Sequence, residues 1–266
     1  KEFALKAIEE EKLGQNGTSD FLAISFSSTD YVGHSFGPQS IELEDTYLRL
    51  DLDIADILNY LDAKLGKNNY LVFLTADHAV AEIPAYIKSK RLPGGSFDNG
   101  KAINEAKAAL KQEFGEVEIM SGSDNYQIYL NHANLEKLHI SKEAVGKVLT
   151  QSFKNQAGFA ELIDMREAAI SPIPALYREM IINGYNQARS GDFMYLLKPQ
   201  WFSGYKTGTS HSTVYAYDTH VPLLFFGWNV KPKEINQRTH ISDIASTLAN
   251  WLKINEPSGS IGKVIQ

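Results

Sequence analysis

Residues 21–34 read FLAISFSSTDYVGH, a short apolar run followed directly by hydroxyl, carboxylate and imidazole side chains. Such a run, bounded by turn residues, is typical of a strand buried on both faces. The same order returns at residues 70–78, which read YLVFLTADH. Between the two, apolar residues recur at steps of three and four from Ile41 to Leu65, which predicts an amphipathic helix. Strand, long helix and strand make a βαβ unit, so we expect an α/β fold with a largely parallel sheet.

The pattern continues outward from this unit toward both ends of the chain. A helix is predicted over residues 3–12, and a third apolar strand over 221–227. A last helix is predicted over residues 241–252, with Ser242 or Asp243 near its start. Parallel sheets formed from such units are covered by helices.

The middle of the chain has a different pattern. Strands are predicted at 126–130 and 192–197, and helices at 141–154 and 174–187. We therefore interpret residues 84–202 as an α+β insertion in a catalytic core made of residues 1–83 and 203–266. The insertion is expected to form a cap over the rim of the functional site.

Composition excludes several classes of protein. The 266-residue chain is 43% hydrophobic and 22% charged, enough for a sizeable core. Its 26 basic and 32 acidic residues give a net charge of −6, which argues against a nucleic-acid-binding surface. No apolar run is long enough for a membrane span. Cysteine is absent, which excludes disulfides, thiolate metal sites and a cysteine nucleophile.

Chemistry-bearing residues lie in three loops next to predicted strands. Asp30 and His34 follow the first strand, Asp77 and His78 follow the second, and His211 shortly precedes the third. In open α/β sheets, ligands bind in the crevice outside the carboxyl ends of the strands. Neutral imidazole nitrogen and carboxylate oxygen together suit Zn²⁺, and Mn²⁺ or Fe²⁺ less well. The pattern therefore predicts a metal site.

The spacing limits how these side chains reach one ion. Asp30 and His34 are four residues apart, so one helical turn or a tight loop directs both to one side. Asp77 and His78 are adjacent, so both reach one ion only if the backbone leaves the sheet there. Alternatives remain, because Asp30 could cap a helix and His211 could be a surface histidine. The other four histidines are assigned structural or solvated roles: His132, His139, His220 and His240.

Five segments carry a resemblance to a known family. They are SSTDYVGH at 27–34, TADH at 75–78, GTSH at 208–211, YDTHVPLL at 217–224 and ISDIASTL at 241–248. In this order they resemble the C-terminal half of the alkaline phosphatase superfamily. The similarity points in particular to phosphate-irrepressible (PafA-type) periplasmic alkaline phosphatases, and to the type I phosphodiesterases/nucleotide pyrophosphatases that align with them. Because the chain starts at Lys1 inside a predicted helix, we expect it to be part of a longer protein.

The resemblance implies an α/β/α sandwich of the alkaline phosphatase type, and within it a site with two zinc ions. Asp30, His34 and His211 match the ligands of one ion, and Asp77 and His78 match two ligands of the other. In the family an aspartate near the N-terminus and a nucleophilic Thr or Ser complete the second ion. Neither is expected within these residues, so no catalytic nucleophile is assigned to this chain.

The resemblance also implies an activity. The intact enzyme would be a zinc-dependent phosphate monoester hydrolase that forms a phosphothreonine intermediate on a phosphorylated small-molecule substrate. It would be periplasmic or secreted, and is expected to be a monomer. Asp218 is the candidate for orienting the ligand histidines from behind. Alternatives within the superfamily are a phosphodiesterase or nucleotide pyrophosphatase, a sulfatase or a phosphomutase, and the piece alone could be inert.

A serine-hydrolase interpretation fits the sequence less well. Residues 203–206 match S-x-x-K, residues 123–125 match S-D-N, and residues 206–208 match K-T-G, the three boxes of penicillin-binding enzymes. Two of the boxes would share Lys206, and one lysine cannot occupy both positions. We treat the matches as chance.

Overall fold

The computed structural model describes residues 1–203 and 208–266. They form two compact units. The first contains Lys1–Phe26, Tyr47–Asp77 and Val221–Gln266, and the second contains Ser27–Thr46 and His78–His220. Lys206, on which two of the three serine-hydrolase boxes depend, lies outside the described residues.

Helices and strands alternate along the chain. The helices are α1 Glu2–Glu10, α2 Ser28–Phe36, α3 Ile41–Leu65, α4 Pro84–Ser89, α5 Asn99–Phe114, α6 His132–Leu138, α7 Lys142–Phe153, α8 Ala175–Gly184, α9 Ala216–Thr219 and α10 Asp243–Leu252, with a 3₁₀ helix at Met165–Ile170. The strands are β1 Leu71–Thr75, β2 Gly95–Ser96, β3 Met120–Asp124, β4 Gln127–Leu130, β5 Phe159–Asp164, β6 Phe193–Leu197, β7 Trp201–Phe202 and β8 Leu223–Gly227. Among the described helices, none combines the length and apolar character needed to cross a bilayer.

The first unit is organised around the antiparallel pair β1–β8, in which Phe73 lies opposite Phe225. One face of this pair packs on α10, since the ring of Phe225 meets that of Trp251 edge-on at 5.2 Å. Helix α10 also buries polar side chains. The carboxylate of Asp243 accepts a hydrogen bond from the Lys263 amide at 2.8 Å. The C-terminal segment is thereby fixed along α10.

The second unit contains a four-stranded antiparallel sheet in the order β3-β4-β6-β5. Helices α5 and α7 pack on it through faces spaced at four residues. In α7, Val145, Leu149 and Phe153 are fully buried. Ser141 begins this helix by accepting a hydrogen bond from the Ala144 amide at 3.1 Å. The core of the unit therefore lies between these helices and the sheet.

Most predicted elements are confirmed. The helices predicted at 3–12, 41–65, 141–154, 174–187 and 241–252 are α1, α3, α7, α8 and α10, and the strands predicted at 70–74, 126–130, 192–197 and 221–227 are β1, β4, β6 and β8. Residues 84–202 lie in the second unit together with Ser27–Thr46 and the segments that directly flank them. Their role as a cap over the site stays a prediction.

The strand predicted at residues 21–26 differs from expectation. No strand is assigned to this segment in the described structure, and the side chain of Phe21 is 68% exposed. Strand β1 pairs with β8, and the two strands are antiparallel rather than parallel. Within the described residues the parallel pair is β2–β7, which is only two residues long. Apolar patterning shows which residues can form a strand, but pairing depends on segments distant in sequence, which the pattern cannot identify.

Candidate metal centre

Helix α2 brings Asp30 and His34 to one side of the chain. The two residues lie one helical turn apart, and Oδ1 of Asp30 is 3.3 Å from Nε2 of His34. Of the two geometries that the spacing allowed, a helical turn or a tight loop, the structure has the helical turn. Asp30 therefore does not act simply as a cap at the start of the helix, because its side chain faces an imidazole.

His78 enters the same cluster from the loop after β1. The strand ends at Thr75, so the backbone has left the sheet before His78, as the adjacent Asp77–His78 pair required. Nε2 of His78 is 3.7 Å from Oδ1 of Asp30. The following residue is fixed in turn, because the Ala79 amide donates a 2.7 Å hydrogen bond to the Asp218 carbonyl.

His211 is carried by a loop that is hydrogen-bonded to the His78 loop. The Ala81 amide donates to the Ser210 carbonyl at 3.1 Å, and the Thr209 hydroxyl donates to the Ala81 carbonyl. Nε2 of His211 lies 4.0 Å from Oδ1 of Asp30.

The His211 loop also packs closely on the end of α2, at Gly208. A Cβ on Gly208 would lie 2.0 Å from the His34 carbonyl oxygen. The loop therefore reaches this position only because residue 208 has no side chain.

One carboxylate oxygen is left unsatisfied at the centre of this cluster. Oδ1 of Asp30 is buried from solvent and accepts no hydrogen bond from any residue that the structure describes. Three imidazole Nε2 atoms lie 3.3 to 4.0 Å from it. A buried, unpartnered carboxylate oxygen is costly unless a cation compensates it. Asp30, His78 and His211 also satisfy the donor-atom spacing of a metal-binding group. The donor set therefore fits divalent cations.

In His34 and His78, contacts of Nδ1 fix the ring so that Nε2 faces the cluster. Nδ1 of His34 is 2.9 Å from the Thr209 carbonyl oxygen, and Nδ1 of His78 is 3.0 Å from the Ala79 carbonyl oxygen. A carbonyl only accepts, so each Nδ1 carries the hydrogen, and in the neutral ring each Nε2 carries the lone pair. This is the arrangement by which proteins orient histidine ligands of metals.

The rings of the three histidines lie at two different separations. The ring centroids of His34 and His211 are 5.1 Å apart, whereas those of His78 and His211 are 3.4 Å apart and nearly parallel. Two imidazoles on one tetrahedral zinc ion, with Zn–N of about 2.0–2.1 Å, have centroids about 5 Å apart. His34 and His211 match that value. The stacked pair is too close for one tetrahedral ion, but suits two ions about 3.5–4 Å apart.

Asp77 and Asp218 are the remaining residues of the predicted site. Asp77 is the last residue of its segment in the first unit, and its side chain is exposed. The ligand role of Asp77 stays a prediction. Asp218 is 2% exposed, and its carboxylate accepts a 2.6 Å hydrogen bond from the Thr213 amide. Burial raises the pKa of Asp218, and the hydrogen bond from the Thr213 amide opposes that rise.

Sequence reasoning did not identify the groups that orient the rings. Two of them are backbone carbonyls, of Thr209 and Ala79, and no residue type marks a carbonyl that will accept from a ligand histidine. Ser212 is a further neighbour, with its hydroxyl 3.3 Å from Nδ1 of His211. Its position directly after a candidate ligand was the available signal. Asp218 was expected in this role, which stays a prediction, and its carboxylate accepts a hydrogen bond from the Thr213 amide.

Comparison with known proteins identifies the family to which the chain is similar. The sequence profile of the family described as type I phosphodiesterase/nucleotide pyrophosphatase matches residues 2–222. A protein of Myroides odoratus named calcium-transporting ATPase is 46% identical over 269 residues, covering 100% of this chain and 49% of that protein. Alkaline phosphatase PafA of Elizabethkingia meningoseptica is 44% identical over 262 residues, covering 97% of this chain and 47% of that protein.

Solved structures agree with these sequence matches. The crystal structure of wild-type alkaline phosphatase PafA superposes with a TM-score of 0.93 at 43% identity, covering 99% of this chain and 50% of that one. A PafA variant with four substitutions has the same TM-score at 42% identity. The described chain therefore has the α/β fold of these phosphatases. It spans about half the length of the curated relatives that it matches.

Proposed function

Because the chain belongs to the type I phosphodiesterase/nucleotide pyrophosphatase family, we propose that the intact protein is a zinc-dependent phosphate monoester hydrolase, an alkaline phosphatase. The observation that carries the proposal is the unpartnered Oδ1 of Asp30, with three imidazole Nε2 atoms within 4.0 Å. The relatives named alkaline phosphatase, at 44% identity, support this activity over others in the family.

The ligands divide between two ions in this proposal. Asp30, His34 and His211 hold one ion, and His78 with Asp77 holds the second. The 5.1 Å separation of the His34 and His211 rings supports a shared ion, and the 3.4 Å stacking of His78 on His211 supports a separate ion for His78. Nitrogen and oxygen donors without sulfur are compatible with zinc in a catalytic site.

In this proposal, the residues of this chain hold the metal ions and orient the imidazoles that bind them. His34 and His78 keep their Nε2 lone pairs directed at the cluster because backbone carbonyls fix their Nδ1 hydrogens. Ions held there would supply electrostatic stabilisation of an in-line phosphoryl transfer. We assign no nucleophile to these residues, and we propose that a threonine hydroxyl elsewhere in the intact protein forms the phosphoenzyme intermediate.

The substrate and location follow from the same proposal. The substrate would be a phosphorylated small molecule, and the enzyme would act in the periplasm or outside the cell. Residues 84–202 would cap the rim of the site. A phosphodiesterase or nucleotide pyrophosphatase is the second candidate, favoured by the description of the matching family.

The test compares two chromogenic substrates on the intact protein. With zinc bound, we expect faster hydrolysis of p-nitrophenyl phosphate than of bis(p-nitrophenyl) phosphate, and loss of both activities after chelation. Faster hydrolysis of the diester would support the second candidate. Metal content near zero with no hydrolysis of either ester would refute zinc-dependent hydrolysis of phosphate esters by this protein.

A further inference from the structure

Ser212 adopts a backbone conformation that favours glycine. Its φ is +83°, in the left-handed region that residues other than glycine and asparagine rarely adopt. The residue directly follows His211. Strained backbone of this kind persists only where surrounding contacts impose it, and it concentrates at functional sites.

Hydrogen bonds on both sides impose the conformation. On the N-terminal side of His211 and Ser212, the Ser210 carbonyl accepts a hydrogen bond from the Ala81 amide at 3.1 Å. On the C-terminal side, the Thr213 amide donates a hydrogen bond to the buried carboxylate of Asp218 at 2.6 Å. The loop is therefore fixed in a turn that glycine would adopt without strain, yet the residue at the turn is serine.

The hydroxyl of Ser212 gives a reason for serine at this position. Oγ of Ser212 lies 3.3 Å from Nδ1 of His211. The Nδ1 atoms of His34 and His78 face backbone carbonyls instead, and those contacts are independent of side-chain identity. His211 differs from His34 and His78 because its Nδ1 contacts a side-chain hydroxyl, and a substitution can remove that hydroxyl.

We propose that Ser212 is a positioning residue that fixes the tautomer and rotation of His211. With Nε2 directed at Oδ1 of Asp30, the Nδ1–H of His211 donates to Oγ of Ser212. The hydroxyl holds the ring so that Nε2 reaches the ion shared with Asp30 and His34, and the backbone strain is tolerated for that contact. This inference rests on the proposed metal-dependent function.

The test uses two substitutions that separate the hydroxyl from the strain. Both Ser212→Gly and Ser212→Ala remove the hydroxyl, but only glycine relieves the left-handed φ. In the intact protein we expect zinc affinity, titrated against a chelator, to fall about 10–100-fold in both variants. The Tm of the metal-free protein should rise for Ser212→Gly and stay equal or fall for Ser212→Ala. The visible spectrum of Co²⁺-loaded protein should change in both.

A matched control is Ser121→Ala, which removes a hydroxyl that donates to the Tyr129 carbonyl in the β3–β4 pair. Its zinc affinity should equal that of the unchanged protein. Equal zinc affinity and an unchanged Co²⁺ spectrum in both Ser212 variants would overturn the inference while leaving the proposed function intact. A lower metal-free Tm in Ser212→Gly would also overturn it, because the hydroxyl would then support the fold. An unchanged protein that binds no zinc would refute the inference and the proposed function together.

Discussion

Asp30 has an unusual position for a carboxylate. Its Oδ1 is enclosed by three imidazole nitrogens at 3.3, 3.7 and 4.0 Å, and it accepts no hydrogen bond from the described residues. His34 and His78, whose Nδ1 atoms carry the hydrogen in the neutral ring, present lone pairs to this oxygen, and lone pairs do not stabilise it. The side chain therefore fits a cation better than it fits its neighbours alone.

The first prediction concerns this residue. Asp30→Asn keeps the shape of the side chain and removes its charge, so we expect zinc affinity to fall by more than about 100-fold, beyond the loss for an outer contact. Metal content of the purified intact protein measures this. His132→Ala is a matched control, because His132 is an exposed histidine that pairs with Asp192. Full zinc content in Asp30→Asn would contradict the assignment.

The proposed division of ligands between two ions gives a second prediction. Asp77→Ala should remove one of the two proposed ions and leave the ion on Asp30, His34 and His211 in place. Zinc per protein should therefore halve, and hydrolysis of p-nitrophenyl phosphate should be lost. Elemental analysis and kinetics on one preparation test this. A variant that keeps both ions and near-normal hydrolysis would exclude Asp77 as a ligand.

Asp218 gives a third prediction, on pH dependence. Burial raises the pKa of its carboxyl. The folded protein therefore holds this proton at pH values where the unfolded chain has released it, and stability falls as pH rises through that window. Asparagine does not titrate, so in metal-free protein the stability of Asp218→Asn relative to the unchanged protein should increase with pH across the same window. Urea unfolding at several pH values measures it, and a difference independent of pH would contradict it.

At the scale of elements, the site depends on loops that pack against each other. Gly208 has no room for a side chain, because a Cβ would lie 2.0 Å from the His34 carbonyl oxygen. The loop that carries His211 is therefore held against the end of α2. Hydrogen bonds from Ala81 and Thr209 hold the same loop against the His78 segment.

Gly208→Ala is the corresponding prediction. The added methyl group should push the loop away from α2 and lower the free energy of unfolding by about 1–3 kcal/mol, as overpacking does. Zinc affinity should fall with it, since His211 moves. The control is Gly122→Ala in β3, where a Cβ would meet nothing within 4 Å. Thermal unfolding of both variants tests the prediction, and equal Tm values would contradict it.

Sequence patterning predicted the helices better than it predicted strand pairing. The amphipathic spacing of α3 and α7 identified both helices, because a helix forms from contacts within one segment. The apolar run at 21–26 predicted a strand that the described structure does not have, since strand pairing needs a distant partner. Asp30, His34, His78 and His211 were predicted from residue type and position, whereas the left-handed turn at Ser212 depends on contacts that no pattern encodes.

At the scale of the whole molecule, metal binding should be coupled to stability. A ligand that binds only the folded state stabilises it by RT ln(1 + [L]/Kd), or about 4 kcal/mol at 1,000 times Kd. Adding zinc to chelated intact protein should therefore raise Tm, and Asp30→Asn should abolish most of the increase. Differential scanning calorimetry measures both. The same increase in the variant would show that zinc binds elsewhere.

The most direct measurement is a crystal structure of the zinc-loaded intact protein with anomalous scattering recorded at the zinc edge. The account predicts one peak within about 2.0–2.2 Å of Asp30, His34 and His211, and a second peak at that distance from His78. Anomalous peaks remote from Asp30, or one peak shared by all three imidazoles, would contradict it.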